Sequence, residues 1–569
     1  MIHTRSALLR TAPRSSSRTA LVARAATASI TRSFSAPAAS IVFQSPHPPL
    51  HVPNQTVWDA ISERSGSIGH RDALVCGLSH ENMTYQQLCD NVRRVADGLR
   101  ADGLKKGDIV LVHSFNCVEY PIIYLAMNAL GVVSSPASPM MLPHDLAAQA
   151  QAANAKAIIT HRALEGVALE AAALAGLSSD RVYSAGKSPA ETKTKSINEL
   201  MESNVDTSKI QFDRVDPEAM TLLPFSSGTT GKPKGVSLSN RNLLANSLQV
   251  CHVEDLRPHS LGLLPFYHVY GMMVMHVTLL QGATNVVLPK FEPESFLNTL
   301  TKYKIKKAHV APPIALFLAH HPLVDKYDLS ATEHLVSGGA PMGKEVEALV
   351  QKRLNVSVKQ AYGLTEASPA LNYTEDNFTK EGTQGTVGRL VPGTELRVRC
   401  TQNDVDLPAN ETGELMYRGP QIMKGYFNND DANKETLTED GFLRTGDVGY
   451  IDDHGFVYVV DRVKELIKYK AYQVPPAELE DVLNHHPAIS DACCVRGMDP
   501  KTGEEVPKAY VVRKDPALTE EEVMDFVASK VTPYKKVRQV EFIDEIPKSA
   551  TGKILRRVLQ DQEIASRSR

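Results

Sequence analysis

The sequence has little that would support a disulfide framework, a zinc site or a membrane span. Its 569 residues include seven cysteines, an odd number with no C-x-x-C spacing, and Cys493 and Cys494 are adjacent. This pattern favours a reducing compartment. No run reaches the ~18 uncharged apolar residues that a membrane-spanning helix needs. The net charge of −3 gives no general reason to expect nucleic acid or an anionic membrane as a partner.

Acidic residues are absent from the first 58 positions, where arginines recur among many serines and alanines. Such a composition is typical of an organellar targeting presequence, and Arg32-Ser-Phe-Ser35 resembles a mitochondrial processing site. We expect residues 1–40 to be a disordered presequence that directs the protein to mitochondria. Plastid import is one alternative. A basic tail on a cytoplasmic protein is another.

The chain is too long for one hydrophobic core, so it should divide into domains. A helical pattern over residues 84–99 precedes a strand pattern over 109–112, and this alternation continues to about residue 400. It predicts an α/β fold with parallel sheets covered by helices on both faces. Short strands with glycine turns follow from about 387, which indicates a small β-rich subdomain. About 105 residues of α+β pattern complete the chain.

One polar stretch, residues 223–235, combines glycines, hydroxyls and lysines after an apolar start. Glycines allow several backbone N–H groups to point inward, while hydroxyls and lysines add donors and positive charge. The stretch therefore predicts a loop for nucleotide phosphates, with a polar surface loop as the alternative. It is not a Walker loop, because two residues separate Gly228 from Gly231 and Pro233 follows Lys232. The predicted phosphate-binding residues are Ser226, Ser227, Gly228, Thr229, Thr230, Gly231, Lys232 and Lys234.

This loop resembles the phosphate loop of the adenylate-forming superfamily, which includes acyl-CoA synthetases, 4-coumarate–CoA ligases, firefly luciferase and peptide-synthetase adenylation domains. Other motifs of the superfamily follow in order, so the resemblance extends from about residue 50 to about 560. It implies a large N-terminal adenylation domain at 41–462, with two parallel-rich sheets sandwiched by helices and a β-rich subdomain at about 387–462. It also implies a small mobile C-terminal domain at 463–569, with a hinge near 464.

The resemblance implies that the co-substrate ATP binds with Mg²⁺. In Gln360-Ala-Tyr-Gly-Leu-Thr-Glu366, Thr365 would contact the α-phosphate, and Glu366, with Thr230, would bind the metal. In Arg444-Thr-Gly-Asp447, the aspartate would accept hydrogen bonds from the ribose, to which Arg462 would add a donor. A turn or a surface ion pair is the alternative for the ribose residues. The other nucleotide-binding residues implied are Gly338, Gln360, Ala361, Tyr362 and Gly363.

The resemblance also assigns catalytic and acyl-binding residues. His268 would lie between the acyl pocket and the thiol channel, with a core histidine as the alternative. Lys553, in Pro547-Lys-Ser-Ala-Thr-Gly-Lys553, would bridge the substrate carboxylate and the α-phosphate, whereas most lysines are merely solvated. Residues 461–478 strongly resemble the hinge segment of 4-coumarate–CoA ligases. They place Lys468 and Gln473 at nucleotide-facing catalytic positions. The implied CoA-binding residues are Lys290, Lys470 and Ala471, and the implied acyl-pocket residues are Tyr267, Tyr270, Val274, Gly339 and Pro369.

Two positions depart from the pattern of that family. Ala471 stands where a glycine usually lines the pantetheine path, so the added methyl group puts the thiol step in question. Val274 stands where plant 4-coumarate–CoA ligases usually have a polar residue, and a buried phenol hydroxyl without its partner costs roughly 1–3 kcal/mol. The flanking methionines 272, 273 and 275 favour an adaptable apolar pocket. We therefore expect fatty or aryl acids without a ring hydroxyl.

We predict an ATP-dependent carboxylate–CoA ligase that forms an acyl-adenylate and then an acyl-CoA from a fatty or aryl, cinnamic-type acid. Its partners would be the acid, ATP and CoA, with no nucleic acid. The alternative enzyme passes the acyl group to a carrier protein or to luciferase-like oxidation. A nucleotide-binding relative without catalytic activity is the third interpretation. The sequence does not indicate the oligomeric state.

Overall fold

The computed structural model describes residues 41–186, 192–226, 233–340, 342–376, 384–469, 472–499, 504–549 and 552–567, with only the backbone at 345, 472, 473, 566 and 567. The described residues from Ile41 onward form one compact unit. The predicted presequence therefore lies outside the described residues, and its role remains a prediction.

The largest sheet, sheet A, has nine strands around the central strand Ile109–His113. The strands that alternate with helices pair in parallel, while the strands that flank the predicted phosphate loop pair antiparallel. In spatial order the strands are Phe225–Ser226, Lys234–Ser239, Met220–Leu222, Val133–Ala137, Ile109–His113, Ala157–His161, Val182–Ala185 and Lys195–Ser196, with Gly425–Tyr426 beside Lys234–Ser239.

Two further sheets, sheet B and sheet C, share one hydrophobic core, to which Val286 of sheet B and Leu335 of sheet C both contribute. Each sheet has three parallel strands, followed by one antiparallel strand in sheet B and two in sheet C. Sheet B contains His259–Gly262, Thr284–Val287, Asp72–Cys76 and Asn82–Thr84. Sheet C contains Lys307–Val310, His334–Ser337, Ser357–Gly363, Ala370–Tyr373 and Arg389–Leu390.

The β-rich region forms an antiparallel five-stranded sheet, sheet D, whose edge strand comes from the start of the described chain. Its strands are Phe43–Gln44, Glu395–Arg399, Gly413–Arg418, Leu443–Ile451 and Val457–Arg462. Beyond it lie a hairpin and a three-stranded sheet. Their strands are Ile467–Tyr469 and Tyr472–Val474, then Ile489–Met498, Glu505–Arg513 and Gln539–Phe542.

The helices cover the sheets through apolar faces. The helix Tyr85–Ala101 begins with a capping box in which Thr84 and Gln87 exchange side-chain hydrogen bonds, and it buries Leu88 and Leu99 at helical spacing. None of the helices in the described ranges is long and apolar enough to cross a bilayer. The α-helices are Val57–Ser65, Tyr85–Ala101, Glu119–Leu130, Pro143–Ala153, Glu165–Ala175, Ile197–Met201, Asn240–Val253, Val269–Gln281, Pro293–Lys302, Pro312–His320, Lys344–Leu354, Asp430–Thr436, Pro476–Asn484, Glu520–Ala528 and Arg556–Arg567.

The predicted fold class is confirmed, because parallel-rich sheets with helices are followed by a β-rich sheet and a small α+β part. The carboxyl ends of the parallel strands in sheet C, and the two strands flanking the predicted phosphate loop, lead into the motifs singled out in the sequence. The domain boundary near 463 and the mobility of the C-terminal part remain predictions.

Candidate active site

The two described ends of the predicted phosphate loop are paired with each other. Ser226 and Lys234 are opposite neighbours in antiparallel strands. The Ser226 hydroxyl donates to Oε1 of Glu366 at 3.1 Å, and Nζ of Lys234 lies 4.9 Å from the centre of the Tyr426 ring. The predictions for Ser227, Gly228, Thr229, Thr230, Gly231 and Lys232 fall outside the described residues and stay predictions.

Glu366 lies beside this loop, in a short 3-10 turn, Thr365–Ala367. The hydroxyl of Tyr426 donates to Oε1 of Glu366 at 3.0 Å. Burial, with the Glu366 carboxylate, raises the pKa of Tyr426, so the phenol stays a neutral donor. Among the described residues, both side-chain hydrogen bonds of Glu366 use Oε1. The second oxygen therefore suits Mg²⁺, which typically binds one or two carboxylates together with substrate phosphates.

Asp447 forms the centre of a second polar group. It is 4% exposed and is the cross-strand neighbour of Arg462 in sheet D. Its Oδ2 accepts a hydrogen bond from the Tyr362 hydroxyl at 2.5 Å, and its Oδ1 accepts one from Nε of Arg462 at 3.1 Å. Burial alone would lower the pKa of Arg462, but the carboxylates of Asp447 and Glu465 raise it. The carboxylate is thus fixed while lone pairs remain for sugar hydroxyls.

The loop that carries Lys553 lies against the large N-terminal part. Gly552 has a φ of 79°, and a Cβ there would lie 2.4 Å from Cγ of Pro313, so this close approach requires glycine. The backbone N–H of Lys553 donates to the Ser549 hydroxyl at 3.1 Å, and its carbonyl accepts from the Ser549 N–H at 2.8 Å. The approach to Pro313 and these bonds fix the position of the Lys553 backbone.

The charge of the Lys553 ammonium interacts electrostatically with residues of both polar groups. Burial, followed by the charge of Arg462, lowers the pKa of Lys553 to about 8. The carboxylates of Asp447 and Glu366 act in the opposite direction. Charges influence one another to this extent only at short range in a partly dry site. The Lys553 amine is therefore within electrostatic range of both Glu366 and Asp447.

His268 faces the same region. It is the N-cap of the helix Val269–Gln281, and its Nδ1 accepts a hydrogen bond from the Tyr270 N–H at 3.4 Å. Burial and then the charge of Lys553 lower the pKa of His268 to about 4. The imidazole is therefore neutral at physiological pH. Tyr267, the preceding residue, is partly exposed.

The predicted acyl-pocket residues Tyr270 and Val274 are buried in one apolar cluster with Val336. The Tyr270 hydroxyl lies 3.0 Å from Nδ1 of His309. The Tyr270 ring lies against Gly338, and the next residue, Gly339, is exposed.

Pro369 is buried on the other side of the motif that carries Thr365 and Glu366. A Cβ on Gly363 would lie 2.2 Å from the Pro369 carbonyl oxygen, so only glycine fits at this crossing. The side chain of Gln360 donates to Oε2 of Glu347 at 3.1 Å, and its backbone carbonyl accepts a hydrogen bond from the Thr374 hydroxyl at 2.9 Å. Ala361, the next residue, pairs with the strand Ala370–Tyr373.

Several predicted residues are not brought to this centre in the present arrangement. Lys468 is exposed and pairs with Gln473 in the hairpin, and its backbone N–H donates to Glu505 at 2.7 Å. Lys290 is also exposed, beyond the strand Thr284–Val287. Lys470 and Ala471 lie outside the described residues. The predicted roles of these residues in CoA binding and catalysis stay predictions.

One positioning residue, Asn116, was missed by the sequence reasoning. Its buried side-chain amide donates to the carbonyls of residues 262, 263 and 264 at 3.1, 3.3 and 2.9 Å, and it accepts from the Phe266 N–H at 2.7 Å. These bonds fix the segment that leads to Tyr267 and His268. The only signal in the sequence was an asparagine shortly after a predicted strand.

A second missed group joins the C-terminal part to sheet D. The buried carboxylate of Asp461 accepts a hydrogen bond from the Ala477 N–H at 2.9 Å. Arg556 pairs with both Glu465 and Glu480, donating from Nε to Oε1 of Glu480 at 2.9 Å. Burial raises the pKa of Asp461 to about 6, although Arg556 opposes the shift. Asp461, Glu465 and Ala477 lie in the hinge segment 461–478, but no motif connects them to the distant Arg556.

Family models match most of the region just described. The model for AMP-binding enzymes matches residues 63–427, more than half of the chain, and the model for the AMP-binding enzyme C-terminal domain matches 478–553. The chain therefore belongs to the AMP-binding enzyme family. The resemblance to the adenylate-forming superfamily is confirmed.

Curated relatives extend the match to nearly the whole chain. A 4-coumarate–CoA ligase 3 of Oryza sativa subsp. japonica is 37% identical over 534 residues, covering 91% of this chain and 94% of its own length. A probable CoA ligase, CCL5 of Humulus lupulus, is 38% identical over 528 residues, covering 91% and 95%.

Solved structures show the same fold. ATP-bound MatB from Rhodopseudomonas palustris has a TM-score of 0.80 at 25% identity, covering 90% of this chain and 99% of its own. The amide bond synthetase McbA from Marinactinospora thermotolerans has a TM-score of 0.79 at 26% identity, covering 89% and 99%.

Proposed function

We propose that the protein is an ATP-dependent carboxylic acid–CoA ligase that forms an acyl-adenylate and then an acyl-CoA. The curated relatives named as CoA ligases bear out this predicted class. The observation that carries the proposal is that Glu366 is bonded to Ser226 and Tyr426, while Asp447 is bonded to Tyr362 and Arg462. Lys553 lies within electrostatic range of both carboxylates and of His268. This group unites a cation, a carboxylate suited to a metal, and a polar corner suited to a ribose.

In the first half-reaction, a carboxylate oxygen of the acid bonds to the α-phosphorus of ATP, and the bond to the β-phosphate oxygen breaks to release pyrophosphate. Both reactants are anions, so positioning and charge neutralisation supply most of the catalysis. The Lys553 ammonium would lie at the reacting oxygens. Asp447, held by Tyr362 and Arg462, would anchor the ribose. Mg²⁺, held by Glu366 and the triphosphate, would neutralise charge on the phosphates.

In the second half-reaction, the CoA thiol loses its proton, its sulfur bonds to the acyl carbon, and AMP leaves with the electrons of the carbon–oxygen bond. The neutral imidazole of His268 lies next to the acyl pocket, where it would orient the adenylate or the thiol. A rotation of the C-terminal part would replace Lys553 by the hairpin with Lys468, Lys470 and Ala471. Mitochondrial import through residues 1–40 completes the proposal.

The test is a panel of acids, from acetate through long-chain fatty acids to cinnamic acid, measured by ATP–pyrophosphate exchange without CoA and by thioester formation with CoA. We expect acid-dependent exchange, and thioester with the same acids. Tight ATP binding without exchange on any acid would show that the protein is a nucleotide-binding relative and not an enzyme of this class.

A second candidate transfers the acyl group to another acceptor. It is supported by the similarity to an amide bond synthetase and by Ala471 on the proposed pantetheine path. The two candidate functions can be distinguished when ATP–pyrophosphate exchange is strong. An acyl-adenylate that accumulates with CoA present, and is converted to thioester only in Ala471→Gly, would favour the second. Full thioester formation by the unaltered protein would exclude that role for Ala471.

A further inference from the structure

Three side-chain amides form a stripe along the helix Asn240–Val253, which begins directly after the strand that leaves the predicted phosphate loop. Asn242, Asn246 and Gln249 recur at helical spacing, so they lie on one face of the helix. They are 5%, 0% and 1% exposed. A face buried to this extent is ordinarily apolar, and burying amides is unfavourable unless each one is hydrogen-bonded. We call these three residues the amide stripe.

Asn246 is the centre of the amide stripe, and it binds one backbone residue at two points. Its Oδ1 accepts a hydrogen bond from the Ala370 N–H at 3.0 Å, and its Nδ2 donates to the Ala370 carbonyl at 2.8 Å. Nδ2 also donates to Oε1 of Gln249 at 3.0 Å. The side chain of Asn246 therefore bonds to Ala370 as the backbone of a neighbouring antiparallel strand would.

The two ends of the amide stripe hold the segment around Gln421. Asn242 donates to the backbone carbonyls on either side of Gln421, each at 2.8 Å. Gln249 donates to Oε1 of the Gln421 side chain at 3.1 Å. Two residues further along this segment, the Met423 N–H donates to the Glu366 carbonyl at 2.8 Å. The amide stripe is thus connected to both sides of the turn that carries Glu366.

The turn between Glu366 and Ala370 contains a strained residue. Ser368 has a φ of 70°, in the left-handed region that residues other than glycine rarely adopt. Such a conformation persists only where the surrounding contacts determine it fully. Here the Ser368 hydroxyl donates to the Gln421 carbonyl at 2.8 Å, and Asn246 holds Ala370. Both contacts come from the amide stripe or from the segment that it binds.

We infer that Asn246 is a positioning residue for adenylation, which holds this strained turn so that Glu366 stays beside the phosphate loop. The helix that carries Asn246 starts where the strand Lys234–Ser239 ends, so one element connects the loop to the turn. A buried polar network whose members are all hydrogen-bonded specifies a single arrangement, which apolar contacts do less strictly. The inference rests on the proposed function and adds to it a residue that lies outside the motifs found in the sequence.

The experiment measures the dissociation constant of ATP, with Mg²⁺ and with EDTA, for the unaltered protein and for Asn246→Ala. The ratio of the two constants is the metal-dependent gain in ATP affinity. Loss of a residue that orients a metal ligand typically lowers metal affinity by about 10–100-fold. We therefore expect the metal-dependent gain to fall by about tenfold or more. In the protein without ATP or metal, the Ala370 amide should exchange hydrogen faster, because its acceptor is lost.

The matched control is Asn128→Ala. Asn128 is 1% exposed and makes three hydrogen bonds, as Asn246 does, but its partners are Trp58, Thr221 and Asn240. The variant loses the same atoms and one contact to the same helix. It should lower the stability of the protein and keep the metal-dependent gain. An equal fall of the gain in Asn128→Ala would attribute the effect to general loosening and overturn the inference.

A second control uses Glu366→Gln, which removes the carboxylate that Asn246 is inferred to position. In this background, Asn246→Ala should cause little further fall of the metal-dependent gain, because two changes that act through one contact are not additive. If the two changes lowered the gain independently, Asn246 would act elsewhere and the inference would be wrong.

A folded Asn246→Ala that keeps the full metal-dependent gain would also overturn the inference. If Asn246→Ala fails to fold, Ser368→Ala takes its place, because it removes only the hydroxyl that bonds to Gln421. It should lower the gain by about fivefold, as loss of one hydrogen bond does, and an unchanged gain would contradict the inference. Failure of the proposed function is a separate result, namely ATP binding by the unaltered protein without pyrophosphate release on any acid. An unaltered protein that does not bind ATP would overturn both.

Discussion

Lys553 gives the sharpest test of the site, because its charge is predicted to appear and disappear within an accessible pH range. Its pKa falls from 10.5 to about 8 through burial and the nearby Arg462. This lowering disfavours the charged amine in the free enzyme by about 3 kcal/mol. A lysine with a lowered pKa is protonated below that pKa and neutral above it. Adenylation that requires the ammonium should therefore decline as pH rises through about 8.

The assay is the pH profile of kcat/KM for ATP–pyrophosphate exchange, which reports groups of the free enzyme. We expect a descending limb near pH 8 in the unaltered protein. Lys553→Ala should lower the rate by about 10²–10³-fold, as loss of one preorganised donor at a developing charge typically does. Lys553→Arg should keep a lower rate but lose the limb, because a guanidinium does not titrate there.

The control is Lys548→Ala in the same loop. Lys548 pairs with Asp491 at 2.5 Å at the surface, and such pairs are worth at most about 1 kcal/mol. This variant should keep both the rate and the limb. A limb near pH 8 that persists in Lys553→Arg would assign the titration to another group. Exchange that survives Lys553→Ala would refute the proposed role of the amine.

Two further predictions concern residues that hold the site together. Asn116→Asp should lower kcat/KM for the acid by about 10²-fold with the KM for ATP unchanged, because a carboxylate cannot donate to the three carbonyls and a buried polar group left unsatisfied costs roughly 1–3 kcal/mol; equal losses for acid and ATP would indicate general damage instead. Asp461→Asn concerns pH, since the folded pKa of about 6 exceeds the usual value near 3.9. That raised pKa stabilises the folded protein below pH 4, and the contribution disappears as pH rises through 6. Thermal melts should therefore show Asp461→Asn gaining stability relative to the unaltered protein between pH 4 and 7, by up to about 3 kcal/mol, and a relative loss would contradict the pKa assignment.

Local patterns predicted the parts of the molecule that are contiguous in sequence. The buried strand Ile109–His113 and the helix from Tyr85 follow from apolar periodicity, and the motif residues Glu366 and Asp447 were found because their neighbours identify them. The convergence of Lys553 on them could only be inferred by resemblance, since the lysine is more than 100 residues further along the chain.

Groups of residues that come together only through strand register could not be predicted from the sequence. One ion-paired group has members from four separate parts of the chain: Glu254, Lys307, Lys359 and Asp376. From the sequence, each of these residues alone would be predicted to be a solvated surface charge. His309 becomes informative only when the parallel register sets it beside Val336. Val274 marked one wall of the predicted acyl pocket, but its neighbours Val336 and His309 were not predicted, because they come together only through the strand register.

Asp461 contacts the C-terminal part that carries Lys553, and this links domain position to pH. The Asp461 carboxylate accepts a hydrogen bond from the Ala477 N–H, and the charge of Arg556 lowers its pKa. Both residues belong to the C-terminal part. If that part rotates between half-reactions, protonation of Asp461 favours the arrangement seen here, whereas the lowered pKa of Lys553 means that charging the amine opposes it in the free enzyme. Adenylation nevertheless needs the charged amine, which is present at lower pH. The thiol, in contrast, attacks as a thiolate and gains from higher pH. Adenylation and thioester formation should therefore have pH optima displaced in opposite directions, with adenylation at the lower pH.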